Sequence, residues 1–557
     1  VLYTKLGQHT VNAVRFAEVL QVFARHGFAD LLRRAGFYDG LPARVLRRMN
    51  LMNAAEGEPA TFGQRLRSAL VELGPTFVKF GQILSTRPDV IGTDTAKALS
   101  SLQDQVDPIE FGAVRPQIER SLGGTVEELF REFDTKPVAS ASLSQVYKAV
   151  LPDGTPVAVK VQRPKVTTQI ETDLSLMAQI ADWLADHVED VRWLDPAGIV
   201  DEFSRSIKRE LDFTIEARVI DQFRRNFEDE PAIFVPCVFH DRTSSIVLTM
   251  DWVDGVRVDE LDAYAERASD PSEVAREGCR ILCQMVFEHR LFHADPHPGN
   301  VMLLRDNQLA FLDLGMAGHI ERADVAAIAD LFLAIFHGDS QECVKAILNL
   351  TAQGQLENLT GLEHEIAEFI AFEAQVIIGG GQVARGIDRA MQILHRHHLE
   401  LASRFSLLLK ALATIEIVGR SLDPKLDFLP IIQPYVETLI LERFHPSHVL
   451  REAQRSGVAL LSLGRQLPGD VTYLIQRLRA GKIRFQVQHE NLNPLANAIE
   501  KAGSRVAFGF IIAALIVGSS MLVASGAQLQ EWGLGGYIFA AILGFGLVFS
   551  IWWSRKV

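Results

Sequence analysis

The chain has 557 residues, 48% of them hydrophobic, enough to build several domains around sizeable cores and too much for a single small module. Its net charge of −13 leaves no overall basic footprint, which excludes nucleic acid as an expected partner and confines any polybasic role to a local stretch. Four cysteines, at 237, 279, 283 and 343, lack the number and spacing of a disulfide framework or a paired metal site and are expected as reduced core residues.

In chain order, the start shows no basic segment followed by an apolar signal core, so secretion is not expected. The stretch from Arg15 to Arg34 places Phe16, Val19, Leu20, Phe23 and Leu31 on one helix face, which suits either an anionic lipid surface or a solvated helix face. Further on, "LGPTFVKFGQILSTRPDVI" carries Lys79 and Gln82 at helical i, i+3 spacing, so the two share a face. The run Val138 to Val146, "VASASLSQV", is laid out like a phosphate-covering kinase loop, with Ala139, Ala141 and Ser144 where three glycines would stand. Small side chains let backbone amides approach phosphates. Alanine lacks glycine's positive-φ freedom, so a stiffer loop is predicted across Val138, Ala139, Ser140, Ala141, Ser142, Leu143, Ser144, Gln145 and Val146.

"SQVYKAVLPDGTPVAVKVQ" follows, two β-branched runs flanking Pro152-Asp153-Gly154, which predicts a hairpin with Lys160 on its second strand. A kinase-type lysine at that place contacts the α- and β-phosphates. The densest signal comes at "FHADPHPGNVMLLRDNQLAFLDLGMAG". Asp295 stands five positions before Asn300, and Asp313 thirteen positions later opens "DLG". A kinase catalytic loop has this layout, with a metal-holding Asp-Phe-Gly after it. Asn300 and Asp313 offer the oxygen donors that Mg²⁺ requires, and Asp295 is placed to accept a proton or orient a nucleophile. Asp295 follows His293-Ala294, so the arginine that reads a phosphorylated activation loop is absent. From Asp313 through Asp339 there is no Ser, Thr or Tyr and no Ala-Pro-Glu, while "IERADVAAIADLFLAIF" reads as a helix. Little is left on which a protein substrate could dock, which favours a small-molecule phosphotransferase or an ATPase.

Beyond this, the cluster His395 to His398 is expected on an exposed helix face, since no second ligand cluster accompanies it. "YLIQRLRAGKIRF", with Arg477, Arg479, Lys482 and Arg484, suits anionic lipid or a solvated helix face equally. The uncharged runs Val506 to Ser525 and Gly533 to Trp553 are each long enough to span a bilayer. Lys501 and Arg505 before them and Arg555 and Lys556 after them predict a two-pass hairpin with both ends in the cytosol.

On "KFGQ", the Ala-rich loop, "VAVK" and "HADPHPGN…DLG", the chain resembles the UbiB (ADCK-like) family of atypical kinases, which supports ubiquinone biosynthesis, over roughly Phe62 to Pro424. The resemblance implies that Lys79 and Gln82 form a KxGQ cover folded over the active site. It implies also that "KRELDFTIEA" supplies an ExD pair, Glu210 and Asp212, and that Glu216 pairs with Lys160. Spacing alone does not select Glu216, because Glu171 lies nearer Lys160 in sequence. Tyr147, where the family usually has His, departs from the pattern.

The resulting expectation is an α+β, two-lobed protein-kinase-like fold with an N-terminal helical extension and a C-terminal transmembrane hairpin. Its parts are amphipathic helices over 1–60, the KxGQ extension over 61–130, a small lobe with the ExD helix over 131–255, a large lobe over 256–440, basic helices over 441–505, and two transmembrane helices over 506–557. ATP and Mg²⁺ are the expected ligands. Membrane lipids, quinone intermediates and other quinone-biosynthesis proteins are the expected partners, and the bacterial inner membrane, with the catalytic part cytoplasmic, the expected location. Function divides between an ATPase or lipid kinase and a nucleotide-gated scaffold. Lys79, a charge on an apolar helix, needs an acidic partner if buried, with Asp295, Asp313 and the Glu210/Asp212 pair available.

Overall fold

The computed structural model describes residues 15–29, 61–102, 106–187, 194–353, 358–378, 380–444, 492–524 and 530–553. The chain divides into two compact units, Val1–Val449 and Leu450–Val557.

The first unit opens with a helical layer. Helix α1 (Phe62–Leu73) starts at a capping box between Thr61 and Gln64 and ends at Gly74, whose φ of 98° is one that glycine tolerates. Pro75 then starts α2 (Pro75–Ser85), the helix bearing Lys79 and Gln82. A third helix, α3 (Thr93–Ser100), packs against both. Their apolar faces merge with α4 (Val166–His187) and α5 (Pro196–Glu210) into one core containing Leu70, Phe77, Ile170, Leu174, Phe203 and Ile207. Val19 and Val22, from the N-terminal amphipathic stretch, are buried in this core, so its apolar face packs on protein; Leu31 lies outside the described residues.

The small sheet is built on three antiparallel strands, β1 (Ser144–Val150), β2 (Pro156–Gln162) and β3 (Val247–Asp251), with short strands Glu132–Phe133 and Ala139–Ser140 added to β1. Val157, Val159 and Val161 alternate inward with Tyr147 and Ala149, the period-two pattern of a half-buried sheet. Helix α6 (Phe213–Asn226) lies between this sheet and the larger core, Asp212 capping its first turn through Thr214.

Below it, α7 (Pro271–Gln284) anchors the larger core. The region around Asp295 and Asn300 is a small β framework. Strand β4 (Leu291–His293) pairs with β7 (Ala317–His319), and β5 (Val301–Leu303) pairs with β6 (Leu309–Phe311) across a tight turn at Asp306 and Asn307, both at positive φ. Helix α8 (Arg322–His337) begins three residues after β7, and α9 (Ser403–Leu422) runs against α7. The chain has a kinase-like α+β fold.

In the second unit, helices Leu492–Ala524 and Gln530–Trp553 pack against each other. Gly536 permits a close approach, since a Cβ there would meet the Ser519 hydroxyl. Among the described residues no helix is long and apolar enough to cross a membrane. This overturns the two-pass anchor over 506–557 and the inner-membrane placement that depended on it. The expectation rested on uncharged length between cationic flanks, whereas Lys501 and Arg505, read as a flank, belong with Glu500 to the same helix as the first apolar run. The basic stretch at Arg477 to Arg484 lies outside the described residues.

Candidate active site

The cleft is assembled from elements far apart in the sequence. Strand β2 holds Lys160 opposite Val146 of β1, and α6 presents Glu216 one turn after its Asp212 cap. The Lys160 Nζ donates to Glu216 Oε2 at 3.0 Å and Oε1 at 3.1 Å, and to Asp313 Oδ1 at 2.8 Å. Glu171, nearer in sequence, is exposed on α4. Asp313 reaches the cleft from a left-handed backbone at φ 55°, a conformation Asp tolerates better than most residues and one found at functional sites. Gly315 keeps its backbone close to this cluster, since a Cβ there would lie 3.4 Å from Asp313 Oδ1 and 3.6 Å from Glu216 Cδ.

One ammonium thus faces two carboxylates. Burial lowers the basicity of Lys160, but Asp313 and Glu216 more than offset it and hold the ammonium above the usual lysine range. Lys160, with Lys79 beyond it, holds Asp313 well below the usual carboxylate range. Burial, with Asp313 and Glu210 adding repulsion, pushes Glu216 up to about 7 despite Lys160. Lys160 with Asp313 is the fully charged pair of the three.

The loop after β4 supplies the opposite wall. His293 is fully buried, its Nδ1 accepting from the Asp295 backbone N–H at 3.0 Å and its Nε2 lying 2.8 Å from the Leu312 carbonyl. That donor–acceptor pair fixes the tautomer, with the proton on Nε2. Burial holds His293 below the usual imidazole range, so it stays neutral and locks the loop geometry. Asn300 donates from Nδ2 to the Asp295 carbonyl at 3.2 Å, and its Oδ1 remains an acceptor. Burial opposes ionisation of Asp295, but the Lys410 ammonium, 2.9 Å from Oδ1, draws the carboxyl below its usual range; His297 stands 3.9 Å from Oδ2.

The Ala-rich loop folds as a tight hairpin, Ala139 opposite Val146 and Ser140 opposite Gln145, closed by Ala141 N–H to the Ser144 carbonyl. No residue from Val138 to Val146 takes positive φ, so alanine in place of glycine costs this backbone nothing. Arg163 braces it from behind, its Nε donating to the Ala141 carbonyl at 2.7 Å and an Nη to Ser140 Oγ at 2.7 Å. Gln145 is buried, bonded to both backbone groups of Ile109.

Helix α2 brings Lys79 close enough to the cluster to act on Asp313. Lys79 is 6% exposed, with Nζ 2.6 Å from Glu210 Oε1. Asp212 is engaged with Thr214, and Gln82 donates to the Leu102 carbonyl at 3.3 Å. Just past α2, Arg87 and Asp89 are buried together. Arg87 reaches Glu202 of α5 as well as Glu400, the Leu401 carbonyl and Ser403 beyond the cleft, while Asp89 accepts from the Leu401 N–H. Between α2, α5 and α9 remains a largely apolar cavity of about 70 Å³, floored by Met316, the residue after "DLG". It is too small for a lipid chain.

Lys410, Arg87 and Asp89 escape a motif reading, because their partners are far away in sequence. A signal existed for Lys410, the lone charge in the apolar run "FSLLLKALATI". Of the histidine cluster, His395 bonds the Asp89 carbonyl and His397 faces Glu365, so both tie helices together.

Among the described residues no group of three or more His, Cys, Asp or Glu could hold a metal by itself. Asp313 and Asn300 nevertheless present oxygen donors across a cleft where Asp313 already attracts an ammonium, and this donor chemistry fits a hard divalent cation completed by phosphate oxygens.

A strand lysine paired to a helix glutamate, a loop Asp and Asn, and the Asp of "DLG" on one kinase-like frame define a kinase-like protein. Residues 101–347 match the family description "ABC1 atypical kinase-like domain", residues 382–427 "UbiB helical domain", and residues 490–553 "ABC1/UbiB kinase-like C-terminal domain". "Probable protein kinase UbiB" of Cellvibrio japonicus (strain Ueda107) is 33% identical over 88% of this chain and 86% of its own. The protein of the same name from Xylella fastidiosa (strain 9a5c) is 33% identical over 88% and 90%. "Uncharacterized protein in hydrogenase 1 5'region" of Clostridium pasteurianum is 28% identical over 97% and 99%. The chain belongs to the ABC1/UbiB family of atypical kinase-like proteins. A solved structure, the Rv3197–erythromycin complex from Mycobacterium tuberculosis, matches 62% of this chain and 87% of its own at 23% identity with a TM-score of 0.44.

Proposed function

We propose that the cleft binds ATP with Mg²⁺ and either hydrolyses it or passes its terminal phosphoryl group to a small, lipid-like acceptor in quinone biosynthesis. The observation that carries this reading is the Lys160–Glu216–Asp313 cluster standing opposite Asp295 and Asn300. In it, Lys160 binds the α- and β-phosphates, Glu216 orients Lys160, the Val138–Val146 loop covers the phosphates, Asp313 and Asn300 hold the metal, and Asp295 positions the attacking oxygen. When bound, the metal neutralises developing phosphate charge. A protein acceptor is disfavoured because only residues 316–321 separate "DLG" from α8, and β7 takes up half of them.

One contact favours a gated form of this activity. Lys79 is buried against Glu210 over the cleft, and the cavity beneath α2 is too small for a lipid, so a lipid-like acceptor enters only when α2 moves. ATP turnover coupled to access for quinone intermediates, alone or with other quinone-biosynthesis proteins, satisfies both features.

The test is phosphate release from γ-labelled ATP with Mg²⁺, run beside a search for labelled small products. Wild type releases phosphate or labels a lipid, and folded Asp313→Asn loses Mg²⁺-dependent nucleotide binding. Equal Mg²⁺-ATP affinity in wild type and the folded variant removes the metal assignment, and a wild type that binds no nucleotide removes the whole reading.

A further inference from the structure

The catalytic loop, Asp295 to Asn300, contains no lysine or arginine. Transfer of a terminal phosphoryl group spreads negative charge over its oxygens beside the loop Asp, and a cleft stabilises that charge with cations fixed in place. Lys160 is held at the other wall by Glu216 and Asp313, and Lys79 is held above by Glu210. The cation on the Asp295 side comes from another element. Helix α9 passes behind the loop and turns Ser403, Leu407 and Lys410 toward the cleft region, at i, i+4 and i+7 on one face. Ser403 meets Arg87, Leu407 lines the small cavity beside Met316, and Lys410 meets Asp295. The Lys410 side chain is 28% exposed while bonded to Asp295 Oδ1.

We propose that Lys410 binds the γ-phosphoryl group of the nucleotide, supplying from the large lobe the cation that the loop lacks. The inference rests on the phosphotransferase reading above and adds a residue to it. In the transfer, the bond between the γ-phosphorus and the β,γ-bridging oxygen breaks, ADP leaving with its electron pair. A new bond forms from the γ-phosphorus to the oxygen of water or of an acceptor hydroxyl, whose proton passes to Asp295 or to solvent. Lys410 keeps its proton throughout. It shares its charge between the Asp295 carboxylate and a γ-phosphate oxygen, which also keeps Asp295 ionised and ready to orient the attacking group.

A residue that touches the γ-phosphate discriminates ATP from ADP, and one that only neutralises Asp295 does not. The experiment titrates the full chain with Mg²⁺-ATP and Mg²⁺-ADP, as wild type, Lys410→Met, Lys410→Arg and Lys410→Met/Asp295→Asn. Expected is at least a tenfold loss of ATP affinity in Lys410→Met, with ADP affinity within twofold of wild type and partial recovery in Lys410→Arg. The double variant keeps the loss, because removing the carboxylate does not restore a contact to phosphate. Should the Met variant fail to fold, Lys410→Gln, which retains a polar end toward Asp295, carries the same comparison. An unchanged ATP-to-ADP preference in the folded single variant, or its return in the double variant, overturns the assignment while leaving the phosphotransferase reading in place. A wild type that binds neither nucleotide overturns both.

Discussion

Glu216 is 5% exposed and sits between Lys160, which favours its charge, and three influences that oppose it: burial, Asp313 and Glu210. The opposing influences win, and its value rises from 4.5 to about 7. The folded chain therefore holds a proton here that the unfolded chain has already lost across that window. The resulting stabilisation is present below 4.5 and is lost as pH rises through 7. Glu216→Gln, which cannot ionise, removes this dependence. The stability of wild type minus that of the variant, from urea unfolding, should fall by up to about 3 kcal/mol between pH 5 and pH 8. A flat difference would mean that Glu216 titrates as an ordinary surface carboxylate. Asp313 and Asp295 carry the opposite sign, since lysines hold them low; their contribution is present at neutral pH and is lost as pH falls through the acid range.

At the scale of elements, what could be read from the sequence was what local spacing encodes. The β1–β2 hairpin follows from two β-branched runs around a Pro-Asp-Gly turn, and β5–β6 leads from Asn300 to "DLG" through two short apolar runs. Glu216 lies 56 residues from Lys160, and only the docking of α6 beneath the sheet brings them together, so family likeness named it where spacing did not. The Arg87–Asp89 clamp was illegible for the same reason, since its partner Glu400 is more than three hundred residues away. That clamp fastens the end of α2 to α5 and to the start of α9. Truncating one partner of a buried ion pair typically costs about 3–5 kcal/mol, because the other charge is left without compensation. Arg87→Met leaves Asp89 at 0% exposure and without that partner, so a loss of this order is expected, concentrated where the clamp acts. Hydrogen exchange should quicken across Pro75–Ser100 and remain unchanged in β1 and β2. Uniform acceleration throughout the chain, or none, would show that Arg87 does not fasten α2.

For the molecule as a whole, the apolar runs near the C-terminus misled because length without charge describes a paired helical hairpin as well as a membrane span, and among the described residues no helix meets the second description. The hairpin exposes Phe510, Phe539 and Phe545, while the three large buried cores found among the described residues lie within Val1–Val449. Every residue assigned to the cleft belongs to that same unit, from Lys79 on α2 to Lys410 on α9. A unit with its own core is able to fold alone. The chain cut after Val449 should therefore melt in one cooperative transition and bind Mg²⁺-ATP within about threefold of the full chain, a difference below about 1 kcal/mol. It should also bind less hydrophobic dye, because the exposed phenylalanines of the hairpin are gone. If the truncated chain melts cooperatively but loses nucleotide affinity by tenfold or more, the second unit contributes to the cleft. If it does not fold, the cores of the first unit are insufficient without the hairpin.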